Sequence, residues 1–410
     1  MRILSLSATL ALATFASGAR GADFPRFETQ EIDPHVGEVC YAVTVADVDG
    51  DGKPDVVAAS EDAVVWYQNP SWTKHDVIRG RTKRDNVCVQ AHDVDGDGRI
   101  DLTLGAGWKP SDTGHAGTLQ WLGRDGGGDW KVHPIECDEP TIHRIRWGDV
   151  KGTGKDQLIV LPLQGRGTKG PNWGAGAGVN VVVYDVPGDP AYPHWRSEVA
   201  DHTLHTIHNA QVVDLLGDGR KQIVLAAWEG VFALDRRGRG GWSRTKIGEG
   251  DQAGDPFKGA SEVKVGRLTD GSRYVATIEP WHGNQVVVYT PPKAPKEGES
   301  LWTRKVLAKP VAWGHAVWCA DVDGDGDDDL IIGQRDPNAE KAEAPRGPGV
   351  FVFAPRPGDD GPTFDRHDVD DGGMACEDAL AADLDGDGRM DLVAGGRATH
   401  NVRIYWNRAR

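Results

Sequence analysis

Three histidines and a glutamate recur at one place in a repeating pattern of this chain. Counting back six residues from the start of each of seven Asp-rich or degenerate strings gives Tyr41, Val87, His143, His208, Ala260, His315 and Glu377. Imidazoles and a carboxylate that converge on one point are the ligand set of a transition metal such as zinc or manganese. His143, His208, His315 and Glu377 are therefore the candidate ligands. The strings carry a different chemistry. Asp-x-Asp-Gly-Asp-Gly-x-x-Asp begins at Asp47, Asp93, Asp321 and Asp383. In the first, Asp47, Asp49, Asp51 and Asp55, with the carbonyl of Lys53, set hard oxygens around a turn that two glycines permit. The same positions are Asp93, Asp95, Asp97, Arg99 and Asp101; Asp321, Asp323, Asp325, Asp327 and Asp329; and Asp383, Asp385, Asp387, Arg389 and Asp391. Clustered charged oxygens describe Ca²⁺ sites, one per string and structural in role. Degenerate strings start at Asp149 and Asp214, where Lys151, Thr153 and Gln157, or Leu216 and Gln222, replace acids. No ion is expected there, nor at the worn copy around Gly266.

The elements that position these residues follow from the same repeat. Each string sits between a β-rich stretch such as Tyr41 to Ala46 and an apolar run such as DVVAAS or DLIIGQ. A third run carries an aromatic (VVWYQN, GVFVFAP), and a fourth begins with Trp or Phe and ends in an aliphatic residue. Short β-branched and aromatic runs punctuated by Gly, Asp and Pro are strands, and no helical period interrupts them. Four strands in about 50 residues make one propeller blade. The last unit stops at Tyr405–Trp406, one strand short, and Phe27 to Ile32 has the spacing of the missing strand. The predicted fold is all-β: a seven-bladed propeller of four-stranded blades over residues 22–410, its last blade closed by the N-terminal strand.

In such a blade the inner strand ends at the Asp loop. Its start and the turn after the second strand therefore lie on the opposite face, beside the central channel. Those turns offer Trp108, Lys109, Trp173, Trp228, Trp281, Arg335 and Arg397 as a wall for a ligand. His205, His282, His400 and Arg144 are candidates for proton transfer there. Aromatic faces with Arg donors suit a carbohydrate, which shows C–H faces and hydroxyl rims.

The net charge of −16 equals the sixteen carboxylates at the odd positions of the four complete strings. The acidity thus belongs to the loops, and no Lys/Arg stripe suggests nucleic acid. Arg2, an apolar run and small residues over 1–21 read as a secretory signal, which predicts a secreted or periplasmic protein. No other segment is apolar and long enough to span a membrane. Five cysteines lack zinc-finger spacing; Cys40 and Cys376 hold equivalent places in the first and last blades, so they form either a disulfide or two buried thiols.

The strings and their flanking strands resemble the FG-GAP/VCBS family of calcium-binding propeller blades, also found in integrin α-chains. The channel residues are similar, more loosely, to the propeller of aldos-2-ulose dehydratases and to propeller polysaccharide lyases. That likeness implies a metal-dependent lyase or dehydratase, eliminating water or alkoxide from a keto-sugar or uronic acid. The alternative is a calcium-stabilised propeller that binds glycan or protein without catalysis.

Overall fold

A computed structural model describes residues 24–408 except 116, 125–127, 255–256, 293–300, 310, 338–346 and 360; the signal segment expected over 1–21 lies outside the described residues. Seven antiparallel four-stranded sheets follow one another along the chain. The only helix among the described residues is a 3₁₀ turn at Gly238–Gly240. The seventh sheet combines Cys376–Ala382, Asp391–Gly396 and Val402–Arg408 with Arg26–Asp33, which pairs antiparallel along the last of these, Arg26 opposite Arg408. The expected closure by the N-terminal strand is what the structure has.

The strand runs explain the ring. Second strands such as Asp55–Ser60, Gln222–Ala227 and Asp329–Gln334 are buried at every residue, because each is covered on both faces by neighbouring blades. They read as unbroken small and β-branched runs for that reason. Outer strands such as Thr73–Arg79 are largely exposed and polar. The core is consequently a set of clusters between adjacent blades. Val43, Val56 and Tyr67 of blade one, for example, pack with Leu380, Val393 and Ile404 of blade seven.

The inner strands carry the feature that matters for the site. In blades one, three, six and seven the ladder to the second strand skips one residue: Tyr41, His143, His315 and Glu377. Each is a β-bulge, which bends the strand and re-aims a side chain. In the other blades the equivalent residue lies just before the inner strand, as the bonds Val87 N→Gly105 O and His208 N→Ala226 O show. In blade five that bond is Ser261 N→Ile278 O, so Ser261, not Ala260, holds the position. The hairpin there turns between Gly266 and Tyr274, one residue shorter than Ala46 to Asp55, and this shortening misled the count by one.

Cys40 and Cys376 are free and buried. Their sulfurs face Gly395 and Gly333 respectively, where a Cβ would meet them at 2.5 and 2.3 Å.

Candidate functional site

The four complete Asp strings fold alike. The first aspartate accepts the N–H groups of the fourth and sixth residues, both glycines with φ near +80°: Gly50 and Gly52 on Asp47, for instance. The ninth turns back under the loop, Asp55 Oδ2 accepting Val48 N–H at 2.9 Å. Carboxylates then converge within 4.8 Å of one another: Asp47, Asp49 and Asp55; Asp93, Asp95 and Asp101; Asp383, Asp385 and Asp391; and Asp321, Asp323 and Asp325. In the first, second and seventh blades the fifth-position acids Asp51, Asp97 and Asp387 pair instead with Lys53, Arg99 and Arg389. Burial, together with the neighbouring Asp323 and Asp325, pushes the Asp329 carboxyl up to about 8, and its Oδ1 is buried without a partner. This donor set fits a hard divalent cation, which would neutralise the crowding.

The degenerate strings show what replaces the ion. In blade three Gln157 Oε1 accepts Val150 N–H, the role Asp55 plays, while its Nε2 donates to the carbonyl of Lys155 at 2.6 Å. That seventh-position carbonyl is the one expected to face a cation. An amide thus satisfies internally what the other loops leave open.

On the opposite face, the three recurring histidines are placed around the channel mouth and almost closed to solvent: His143 and His315 are 4% exposed and His208 is 0%. Each Nδ1 faces an oxygen, two of them in hydrogen bonds. His143 Nδ1 bonds the carbonyl of His208 at 3.0 Å, and His315 Nδ1 bonds that of Glu377 at 2.6 Å. His208 Nδ1 lies 2.5 Å from Glu262 Oε1. A tethered Nδ1–H leaves the Nε2 lone pair free, the tautomer that binds metals. The structure brings His208 and His315 together with His282, ligand nitrogens of all three lying within 4.8 Å of one another. His282 Nε2 is 2.7 Å from His208 Nε2. It reaches in from the turn after the second strand of blade five, held at φ +49°. His282 had been a candidate base from the sequence; its place is in the cluster.

His143 stands beside the cluster, its ring centroid 4.5 Å from that of His208. Glu377 lies at the edge, 3.8 Å from His315 Nε2, and is bonded by Arg397 at 2.7 Å with Arg335 at 3.9 Å. Burial lowers all four imidazoles: His143 and His282 fall well below the usual value and His315 to about 4, so they are neutral near pH 7. Burial alone would raise Glu262 and Glu377, but His208 and Arg144 on the first, and His315, Arg397 and Arg335 on the second, hold both down as carboxylates.

The aromatic wall is largely present. Trp281 stacks on His282 at 4.3 Å, Trp313 lies 4.8 Å from it, Trp108 touches His143 at 5.6 Å, and Trp173 meets Trp281 at 6.4 Å. Arg335 covers Trp313 and Arg397 covers Tyr41. Trp228 is half-buried and packs against the Gly174 backbone, and Lys109 is exposed. Buried polar atoms without partners gather here: Trp108 Nε1, Trp281 Nε1, His282 Nδ1, Glu377 Oε2 and the Gln164 amide. Of the remaining candidates, His205 is paired with Glu229 at 2.6 Å. His400 bonds the Glu38 carbonyl and packs on His35, away from the cluster. Arg144 points below the histidines, into the channel. Glu262, which lies against His208, falls two positions after the counted Ala260 and one after Ser261, outside the repeat position.

Comparison with known proteins bears on this geometry. Residues 116–292, which include His143, His208, Glu262 and His282, match the family described as the beta-propeller domain of aldos-2-ulose dehydratase, and residues 29–104 match the FG-GAP-like repeat. An aldos-2-ulose dehydratase of Phanerodontia chrysosporium is 31% identical over 237 residues, covering 53% of this chain and 25% of that protein. The chain thus matches about a quarter of that relative's length. Among solved structures, an Agrocybe aegerita lectin that recognises non-reducing terminal N-acetylglucosamine superposes with a TM-score of 0.51 at 16% identity, covering 81% of this chain and 80% of the lectin. A streptogramin B lyase superposes with a TM-score of 0.55 at 11% identity, covering 93% and 98%. These two likenesses concern the fold alone. No helix among the described residues is long and apolar enough to cross a membrane.

Proposed function

We propose that this chain is a secreted carbohydrate dehydratase or lyase, working on a keto-sugar or uronic acid at a transition-metal centre held by His208, His282 and His315. The observation that carries the reading is the set of neutral imidazole nitrogens brought within 4.8 Å, while His208 and His315 are tethered through Nδ1. Zinc or manganese suits such donors. When bound, such an ion polarises a carbonyl and acidifies the adjacent C–H. The other groups have distinct tasks. His143 keeps Nδ1–H on a backbone carbonyl and an unpaired Nε2 at the mouth, so it can take the proton. Arg335 and Arg397 hold Glu377 ionised and present guanidinium edges to a hydroxyl or carboxylate. Trp108, Trp173 and Trp281 exclude water and offer faces to sugar C–H groups. The likeness of residues 116–292 to the aldos-2-ulose dehydratase propeller, a stretch that holds His143, His208 and His282, supports the substrate class. We assign calcium to the four complete Asp strings and a bracing role to it.

The 2.7 Å approach of His282 to His208 also suits a second reading, because one shared proton satisfies both nitrogens without a metal. The propeller would then bind glycan at the same wall without turnover. Elemental analysis of protein purified without chelator separates the two. About four calcium and one transition metal per chain, the latter lost in a His208→Ala/His315→Ala variant, is the expected result. Calcium alone, unchanged in the variant, would leave the binding reading. Keto-sugars and uronates are then screened for the ultraviolet absorbance of an unsaturated product.

A further inference from the structure

Below the histidines the channel widens into a cavity of about 350 Å³. Arg144, Asn209 and Asp378, each next in sequence to His143, His208 or Glu377, line its upper part, while half-buried Thr44, Gln90 and Gln211 line the end toward the Asp loops. Three cations line it: Arg144, Arg146 and Lys264. Arg144 is 5% exposed and Lys264 6%. Among the described residues, none of the three has an ion-pair partner within the cavity. Arg144 places one N–H on the His143 carbonyl and leaves the rest of its fork free. Lys264 Nζ lies 4.6 Å over the Trp318 ring and has no acceptor. Arg146 is bound through Ala210 O, Ile145 O and Asn209 Oδ1.

Two carboxylates stand close to these cations, and one of them, Asp378, lines the same cavity. Asp378 accepts Val43 N–H and Ala379 N–H. Glu262 accepts Asn209 Nδ2 and meets His208. Three cations against these two carboxylates leave the lining with an excess of positive charge, and an anion entering the cavity would balance it. Burial, with Arg146 adjacent, pushes the Lys264 ammonium down to about 7 although Asp378 and Glu262 pull the other way, and an added anion would pull with them.

We propose that this chamber binds a small oxyanion, gripped by the Arg144 guanidinium and the Lys264 ammonium. A guanidinium fork matches carboxylate and phosphate oxygens alike. The chamber is larger than an inorganic ion requires, and Gln211 adds a free amide N–H end, its Oε1 being taken by Val265 N–H. An organic acid carrying hydroxyls therefore fits as well as phosphate, and the two sources are told apart by experiment. The site shares no ligand nitrogen with the histidine centre and stands whether or not that centre holds a metal.

The test is isothermal calorimetry and thermal unfolding of the mature protein with sodium phosphate and sodium gluconate, against sodium chloride at equal ionic strength. Saturable binding of about one anion per chain, absent with chloride, is expected, with affinity falling at least about ten-fold in Lys264→Met. Tighter gluconate binding identifies a hydroxy acid; equal or tighter phosphate binding identifies a general oxyanion site. Should Lys264→Met fail to fold by near-ultraviolet circular dichroism, Lys264→Gln and Gln211→Leu serve in its place. No saturable binding by the wild type, or binding that none of the folded variants weakens, overturns the proposal.

Discussion

At the residue scale, the histidine layer is organised by what holds the far nitrogen of each ring. Glu262 is 1% exposed and fixes His208 from behind, so its ionised carboxylate both selects the tautomer and raises the basicity of Nε2. Glu262→Gln keeps the shape but weakens that hold. A 10- to 100-fold loss of transition-metal affinity is expected by chelator competition, with the calcium content unchanged. His282→Ala should act on the same equilibrium from the front. It removes one of three nitrogens and uncovers the Trp281 face, which the ring now stacks on at 4.3 Å. The repeat count reached His143, His208, His315 and Glu377 because all sit at one topological position. It could not see the bulges that turn His143 and His315 inward, since a bulge is a property of the pairing and not of either strand's composition. His282 escaped as a cluster member for a related reason. It belongs to a turn, and a turn residue's direction is set by φ, here in the left-handed region.

At the scale of the element, the Asp loops separate two roles that the sequence merges. The first aspartate organises the loop by accepting backbone N–H groups whether or not an ion is held. Asp149 does so for Thr153 and Gly154, just as Asp383 does for Gly386 and Gly388. Asp149→Ala should therefore destabilise by about 0.5–1.5 kcal/mol per lost bond, since the exposed donors turn to water, and the loss should be the same with and without EDTA. Asp383→Ala should cost more than that in calcium and fall back to about the same loss in EDTA, because the chelator removes the ion but leaves the N–H bonds of Gly386 and Gly388 to be lost. Thermal unfolding of both variants in the two buffers checks this. If Asp149→Ala is as EDTA-sensitive as Asp383→Ala, the third blade also carries an ion. Gln157 and Gln222 were legible as lost acids, but not as substitutes: their hydrogen bonds to Val150 and Leu215 N–H appear only once the loop is folded.

At the scale of the whole molecule, the ring was the most legible feature, because seven repeats of one strand pattern leave little else to build. What the sequence could not reveal is how the seam is fastened. Asp33, at the end of the closing strand, bonds Tyr67 at 2.6 Å and Lys74 at 2.7 Å, both in blade one. Burial alone would raise its carboxyl. Lys74, Tyr67 and the His35 N–H outweigh that and hold it below the usual value. A carboxyl lowered on folding adds stability above its unfolded pKa of about 4, and that stability is lost as the pH falls through the folded value. Asp33→Asn should thus lower the melting temperature at pH 7, and the difference should shrink in acid; a gap that persists at pH 2 would assign the effect to packing. Removal of residues 24–33 should do more. It exposes the edge of Val402–Arg408 and uncovers the His367 ring on which Phe24 stacks, and self-association by size-exclusion chromatography is the expected result.

The closing strand also sets a clock on synthesis. Arg26 and Arg408 are partners, so the ring's first strand waits for its last. Until then six blades stand as an open arc with two raw edges, each able to pair with another chain. The hazard is temporal, and it lasts until the strand Val402–Arg408 has been made. A permuted gene that begins at Cys40 and carries Arg26–Asp33 after Arg408 would join the two strands through a hairpin. That rearrangement turns the slowest meeting in the molecule into a local one without altering a single blade.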